Sequence, residues 1–291
     1  MKRILCIAGS CCDLVFGGLD RLPSLGEEIF GTHFSMQAGG GANTAVQLGR
    51  LGADVSFWTL LGPDLAGGIV RDALEKANVR LIEHGQIIGR TPVSAVLSTK
   101  EDRAFASFDA GDPLIENVAA LEAAIAKADI VHTFLGYCLS YPIAELCRKH
   151  HKILSVDCSF CDAPGEQTDA ILRECDYWKG NEGEALRLTG AADVETALLH
   201  LTGMVRRGAV VTLGGEGSLG TERGRTPVFV PAAPVERFVD ACGAGDAYAA
   251  GFLFGLADDE PFAACMARGA ALAASVVQHY GGTPEQERFC N

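Results

Sequence analysis

Asp240-Ala241-Cys242-Gly243-Ala244-Gly245-Asp246 runs straight into Ala247-Tyr248-Ala249-Ala250-Gly251-Phe252-Leu253. Glycines bracket a small residue, an acid follows, and a proline-free stretch rich in Ala begins. The pattern reads as a loop opening a helix, with Asp246 in the first turn. Backbone N–H groups left free at such an end attract negative charge, a phosphate or a developing oxyanion. Small side chains let the anion approach the backbone closely. Beside that cradle Asp246 is placed to take a proton from an attacking hydroxyl. The plainer reading is a glycine turn whose acid helps to start the helix.

Upstream, the chain alternates strands and helices. Ile4–Ala8 reads as a buried strand with Asp13 beyond its C-terminal end, and Val55–Leu60 as a second strand before a helix over Leu65–Lys76. From Leu121 the rhythm is regular: strands at Ile130–Phe134, Ile153–Asp157, Tyr177–Lys179 and Ala209–Leu213, with helices between them, and a strand over Thr226–Ala232. A long apolar helix, Phe262–Val277, follows the opening stretch. That spacing implies an α/β fold with a mostly parallel sheet covered on both faces, and ligands collect at the strand C-termini of such sheets. Two β-rich pieces, about 14–37 and 90–110, break the rhythm, the second with a hairpin tip at Lys100-Glu101-Asp102. They are expected to pair into a small sheet that covers a site, within one domain spanning 1–291.

The bulk numbers exclude several classes. Lys plus Arg is 24 against 37 Asp plus Glu, a formal net charge of −13, which argues against nucleic acid or an anionic membrane as partner. No apolar run approaches the ~18 residues of a membrane span. The apolar segment after Met1-Lys2-Arg3 is short and reads as a strand rather than a signal peptide. The 11 cysteines, an odd number mostly scattered singly, point to a reducing, cytoplasmic setting. Cys158 and Cys161 have metal or redox spacing but lack the second pair that a zinc site needs.

Three further motifs carry chemistry. Ala38-Gly39-Gly40-Gly41-Ala42-Asn43 feeds a helical pattern at Ala45, Leu48 and Leu51, where Asn43 can cap the helix or bind a polyol hydroxyl. Asn181 and Glu184 fall on one helix face just after a strand, where they can cap the helix or hold water around a magnesium–phosphate group. Gly215-Glu216-Gly217-Ser218-Leu219-Gly220 spells G-x-G-x-x-G, but Thr221–Thr226 after it is polar and turn-like rather than helical. A dinucleotide fingerprint must open a helix, so hydride transfer is rejected and a glycine loop beside a nucleotide remains.

Taken together and in this order, the motifs resemble the ribokinase-like (PfkB) carbohydrate kinase family over essentially the whole chain. The resemblance implies an ATP- and Mg²⁺-dependent transfer of a phosphoryl group to a sugar hydroxyl. Asp246 matches the family's catalytic base, and Gly243, Ala244 and Gly245 its anion hole. Asp13, Gly39, Gly40 and Asn43 match acceptor-binding positions. Asn181, Thr212, Gly214, Gly217 and Gln278 fall on the nucleotide side, with Glu184 linked to magnesium. The β-rich pieces match a lid, which in this family often pairs between subunits, so a homodimer is expected. Some relatives also use a monovalent cation near Asp240. Ala241 replaces the family's usual Thr, and Asp157-Cys158-Ser159 replaces the Asp-Pro-Asn-x-Arg pattern of several sugar-acid and fructose kinases. A nucleoside kinase, with Phe16, Phe105, Phe108 and Tyr137 as candidate aromatics, and a fructosamine such as fructoselysine as acceptor, are the alternatives within the class. A non-catalytic sugar or nucleotide sensor is the alternative outside it.

Overall fold

The structure is a computed structural model that describes residues 1–82, 88–99, 102–109, 111–159 and 163–284. Strands β1 (Ile4–Ile7), β4 (Val55–Trp58), β5 (Arg80–Ile82), β8 (Ile130–Phe134), β9 (Ile153–Asp157), β10 (Tyr177–Asn181), β11 (Gly208–Thr212), β12 (Gly217–Glu222) and β13 (Val228–Pro231) form the main sheet. Their order is β13-β12-β11-β10-β9-β8-β1-β4-β5. From β5 to β11 every pairing is parallel, and β12 and β13 add antiparallel strands at one edge. Helices α1 (Ala42–Arg50), α2 (Leu65–Lys76), α9 (Ala244–Ala257) and α10 (Phe262–Val276) pack on one face. The other face carries α3 (Val118–Lys127), α4 (Leu135–Ser140), α5 (Ile143–Lys149), α6 (Glu166–Glu174), α7 (Glu182–Thr189) and α8 (Val194–Met204).

The side-chain alternation of the strands explains the two layers. Leu5, Ile7, Val131, Leu154, Val156 and Trp178 enter the core under α3–α8, whereas Ile4, Cys6, Val55, Phe57 and Ile130 enter the core under α1, α2 and α9. Period-2 alternation sends successive residues to opposite faces, so strands covered on both sides read as unbroken apolar runs. Pairing register then lines up the carboxyl ends that matter: Asp157 faces Lys179 across β9–β10, and Asn181 faces Thr212 across β10–β11.

A second sheet stands apart, with strands β2 (Ser10–Leu19), β3 (His33–Gly40), β6 (Val93–Thr99) and β7 (Arg103–Phe108) in the order β3-β2-β6-β7. Its two faces differ in chemistry. Val15 and Val96 pack on Cys242 of the 240–246 loop, so that face, which Asp13 and Ser94 share by register, is turned toward the α9 N-terminus. On the opposite face Phe16, Phe34, Met36 and Phe108 are all at least 38% exposed.

Several local expectations are corrected. Asp13 lies inside β2 rather than just past β1, because the chain leaves the main sheet at Ala8-Gly9 and re-enters strand at once. Gly17-Gly18 shifts the register of β2 without ending it, and β2 pairs antiparallel with β3 across the 20–32 connection. The segment after Gly217 is strand through Glu222, because Val210 and Val211 of β11 offer it an open antiparallel edge. Lys100 and Glu101 of the expected hairpin tip lie outside the described residues, as does Cys161. No helix among the described residues is long and apolar enough to cross a membrane.

Candidate active site

Gly243 enters α9 with φ 75°, and a Cβ there would sit 2.3 Å from the Cα of Gly282. Both the left-handed backbone and the close approach require glycine. The helix has no side-chain cap, so the first-turn amides of Gly245 and Asp246 face out of its N-terminus without carbonyl partners. Ala241 contributes its carbonyl, which accepts from the Ala244 N–H at 3.2 Å.

Asp246 is held from the opposite helix. Asn43 donates from Nδ2 to its Oδ2 at 3.0 Å, and the Thr44 hydroxyl lies 3.4 Å from its Oδ1. Asn43 is therefore not the cap of α1, a position taken by Gly41. It lies in the first turn, where the α1–α9 packing buries it, and its Oδ1 has no donor. Burial raises the Asp246 carboxyl to about 6, helped by the charge of Asp157, while Asn43 and Lys179 work against the rise. A carboxyl tuned this way is a base near neutrality.

Asp13, Gly39 and Gly40, expected on the acceptor side, come together from β2 and β3. Asp13 is buried, accepts from the Cys11 thiol at 3.1 Å, and is raised to about 6, chiefly by burial. Gly39 faces it so closely that a Cβ would lie 2.3 Å from its carboxyl atoms. Gly40 makes the turn into α1 with φ 60°. Of the candidate aromatics, Phe16 and Phe108 sit on the far face of the second sheet. Phe105 is on the near face, and the Tyr137 hydroxyl accepts from the Gly9 N–H at 2.9 Å.

Asn181 and Glu184 form a reciprocal capping box at the start of α7: Asn181 Oδ1 accepts from the Glu184 N–H at 2.9 Å, and Glu184 Oε2 accepts from the Asn181 N–H at 2.8 Å. That engagement fits a magnesium ion held through water rather than by a full set of protein ligands. No group of three or more His, Cys, Asp or Glu among the described residues could hold a metal by itself. Thr212 ends β11, its hydroxyl 3.4 Å from the Gly180 carbonyl, and Gly214 and Gly217 (φ 57° and 133°) shape the turn into β12. Gln278 ties the end of α10 to Glu236, accepting from its N–H at 3.1 Å.

Two features have no motif in the sequence reading. Lys179, a lone cation in a buried strand, is paired with Asp157 at 2.6 Å with side chains only 10% and 9% exposed. Its Nζ also donates to the Gly245 carbonyl at 3.2 Å, and the nearby carboxylates Asp157, Asp246 and Glu184 keep its pKa raised against the opposing burial. The second is the segment after α10. Gly281 N–H donates to Asp240 Oδ2 at 3.1 Å, Cys242 N–H donates to Asp240 Oδ1 at 2.9 Å, and the Gly282 and Tyr280 carbonyls accept from Gln47 and Gln37. Asp240 thus staples the 240–246 loop to a segment that also grips β3 and α1.

Residues 1–288 match the pfkB family carbohydrate kinases. The chain belongs to the PfkB family. A ribokinase of Bacillus subtilis (strain 168) is 28% identical over 97% of this chain and 96% of that protein. A fructoselysine 6-kinase of Shigella flexneri is 28% identical over 97% of this chain and 99% of its own length. The solved Arabidopsis thaliana ribokinase complexed with ribose and ATP superposes with a TM-score of 0.79 at 23% identity, covering 97% of this chain and 96% of that one. As a PfkB member the chain has the ribokinase-like fold and is a sugar or nucleoside kinase, a phosphotransferase with an alcohol acceptor.

Proposed function

We propose that this PfkB member transfers the γ-phosphoryl group of ATP to a hydroxyl of a sugar or sugar derivative, with Asp246 as general base. The observation that carries the reading is the joint placement of Asp246 and the α9 N-terminus: a carboxyl raised to about 6 lies in the same first turn as the open amides of Gly245 and Asp246. Phosphoryl transfer needs alignment and charge neutralisation more than covalent help. Asp246 accepts the hydroxyl proton, and the Gly243–Asp246 segment with its helix dipole receives the equatorial oxygens. Asp13 and the unpartnered Asn43 Oδ1 orient the acceptor, since a buried oxygen without a donor suits a sugar hydroxyl. Gly39 and Gly40 leave room for the ring.

On the nucleotide side, Thr212, Gly214, Gly217, Asn181 and Gln278 line the base and phosphate approach. Glu184 would hold a magnesium ion through water, and the ion would supply charge neutralisation of the phosphates. Lys179 adds a fixed positive charge beneath Gly245. The second sheet acts as a lid, and a second copy of the chain covers its apolar face of Phe16, Phe34, Met36 and Phe108. The free, mostly buried cysteines suit a cytoplasmic setting.

The test is ADP release with a sugar panel. Asp246→Asn should lower turnover by about 10²–10⁴-fold while ATP still binds. Turnover retained in that variant would remove Asp246 as the base.

A further inference from the structure

The face of the second sheet turned toward Asp246 carries more than the acceptor's hydroxyl binders need. By register Asp13 of β2 sits beside Ser94 of β6, which sits beside Ser107 of β7, and the two serine hydroxyls are 2.7 Å apart. Farther along β7 the same face presents Phe105 and then Arg103. Phe105 is 52% exposed although it lies on the site side. Arg103 stands over its ring at 5.9 Å, and its Nε is buried with no hydrogen-bond partner. The guanidinium's ion pair is with Asp102, at 3.6 Å, and that carboxylate is 82% exposed, so the pairing is weak.

From Asp13 toward Arg103 the surface therefore reads carboxylate, hydroxyls, aromatic ring, cation. Arg103 lies two strands over and four residues along from Asp13, about 10 Å across and 13 Å along the sheet by ordinary strand spacings. A free monosaccharide bound at Asp13 and Asp246 does not span that length. We propose that this face is a second acceptor subsite, in which Arg103 pairs with a carboxylate at the end of an arm that leaves the sugar and lies along Phe105. The proposal rests on the sugar-kinase reading above. A single guanidinium matches a carboxylate monoanion in a two-pronged pair, whereas a phosphate dianion calls for further cations. An aliphatic arm fits between, because Phe105 offers apolar surface otherwise left in water.

The test uses fructoselysine, its decarboxylated analogue fructosylcadaverine, and fructose as acceptors, read by coupled ADP formation. The first two differ only in the carboxylate. Fructoselysine is expected to exceed fructosylcadaverine by about tenfold or more in kcat/KM, the size of one charge-assisted pair. In Arg103→Gln that ratio should fall to near one through a raised KM for fructoselysine, and Arg103→Lys should keep part of it. A ratio near one in the parent protein, or one preserved in Arg103→Gln, overturns the subsite. Phosphorylation of fructose with neither armed acceptor accepted overturns it too, while leaving the kinase reading intact. ATP binding without ADP formation from these or any sugar of a wider panel overturns the kinase reading itself.

Discussion

Lys179 offers the sharpest handle on the site, because its ammonium lies among the carboxylates of Asp157, Asp246 and Glu184. Removing one member of a buried ion pair leaves its partner uncompensated and costs about 3–5 kcal/mol. Lys179→Met should fall at the lower end, about 3 kcal/mol, because both side chains keep about a tenth of their surface exposed. Asp157→Asn combined with Lys179→Met removes both charges and should recover most of that loss in urea unfolding. The two single variants should move the acid limb of the kcat/KM profile in opposite directions. The limb reports protonation of Asp246, so activity rises with pH through about 6. Without Lys179 the carboxylate loses an attracting charge and the limb moves up; without Asp157 it loses a repelling one and the limb moves down. Each shift should be about one pH unit, equivalent to ~1.4 kcal/mol. Limbs that stay together, or a double variant as unstable as Lys179→Met, would refute the electrostatic account.

Asp246→Asn also has a stability signature. A carboxyl raised above its unfolded value stabilises the fold below that value, and the contribution is lost as pH rises toward about 6. Asn removes this cost, so the variant should melt higher than the parent at pH 7 and lose the advantage toward pH 4. Gly39→Ala would place a methyl 2.3 Å from the Asp13 carboxyl, so the acceptor KM should rise at least tenfold while ATP binding is kept, as titration calorimetry can check. Gly243→Ala combines a left-handed backbone with a 2.3 Å approach to Gly282, so at least 1–2 kcal/mol of stability and nearly all turnover should go. Asn181→Ala opens the capping box and should cost about 1 kcal/mol in urea unfolding, with a raised KM for ATP.

Much of this was legible in the chain. Strands such as Ile130–Phe134 and Ile153–Asp157, and the helix Leu65–Lys76, have the bounds expected from their patterns. Buried apolar runs and helical spacing are local signals that tertiary packing here reinforces. Asp246 and Asn43 are nameable because glycine loops announce close approach, and Asp13 because it follows the end of the first strand. The contact between Asn43 and Asp246 is not, since it joins residues 203 positions apart. Asn43 as a helix cap failed for the same reason: α1 meets α9 at that turn, and the interface claims the side chain. Lys179 left one trace, a cation in a strand otherwise destined for burial, but its partner across the β9–β10 register could not be read from periodicity. The second sheet was visible as β-rich sequence, whereas which of its faces meets the site depends on the parity set at Ser10.

Asp13 and its main-sheet neighbours are joined by only Ala8 and Gly9, and Asp13 is part of a strand of the second sheet. Any rotation of that sheet about the Gly9 junction carries Asp13 with it, along with Gly39 on β3. On the proposed roles of the second sheet and Asp13, closing over the site and grasping the acceptor are a single coordinate. With the nucleotide against the main sheet, as proposed, the free energy of ordering the second sheet is subtracted from acceptor affinity and not from nucleotide affinity. Whatever prearranges the second sheet, a covering subunit included, should tighten the acceptor by the reciprocal of the competent fraction and leave the nucleotide constant almost untouched.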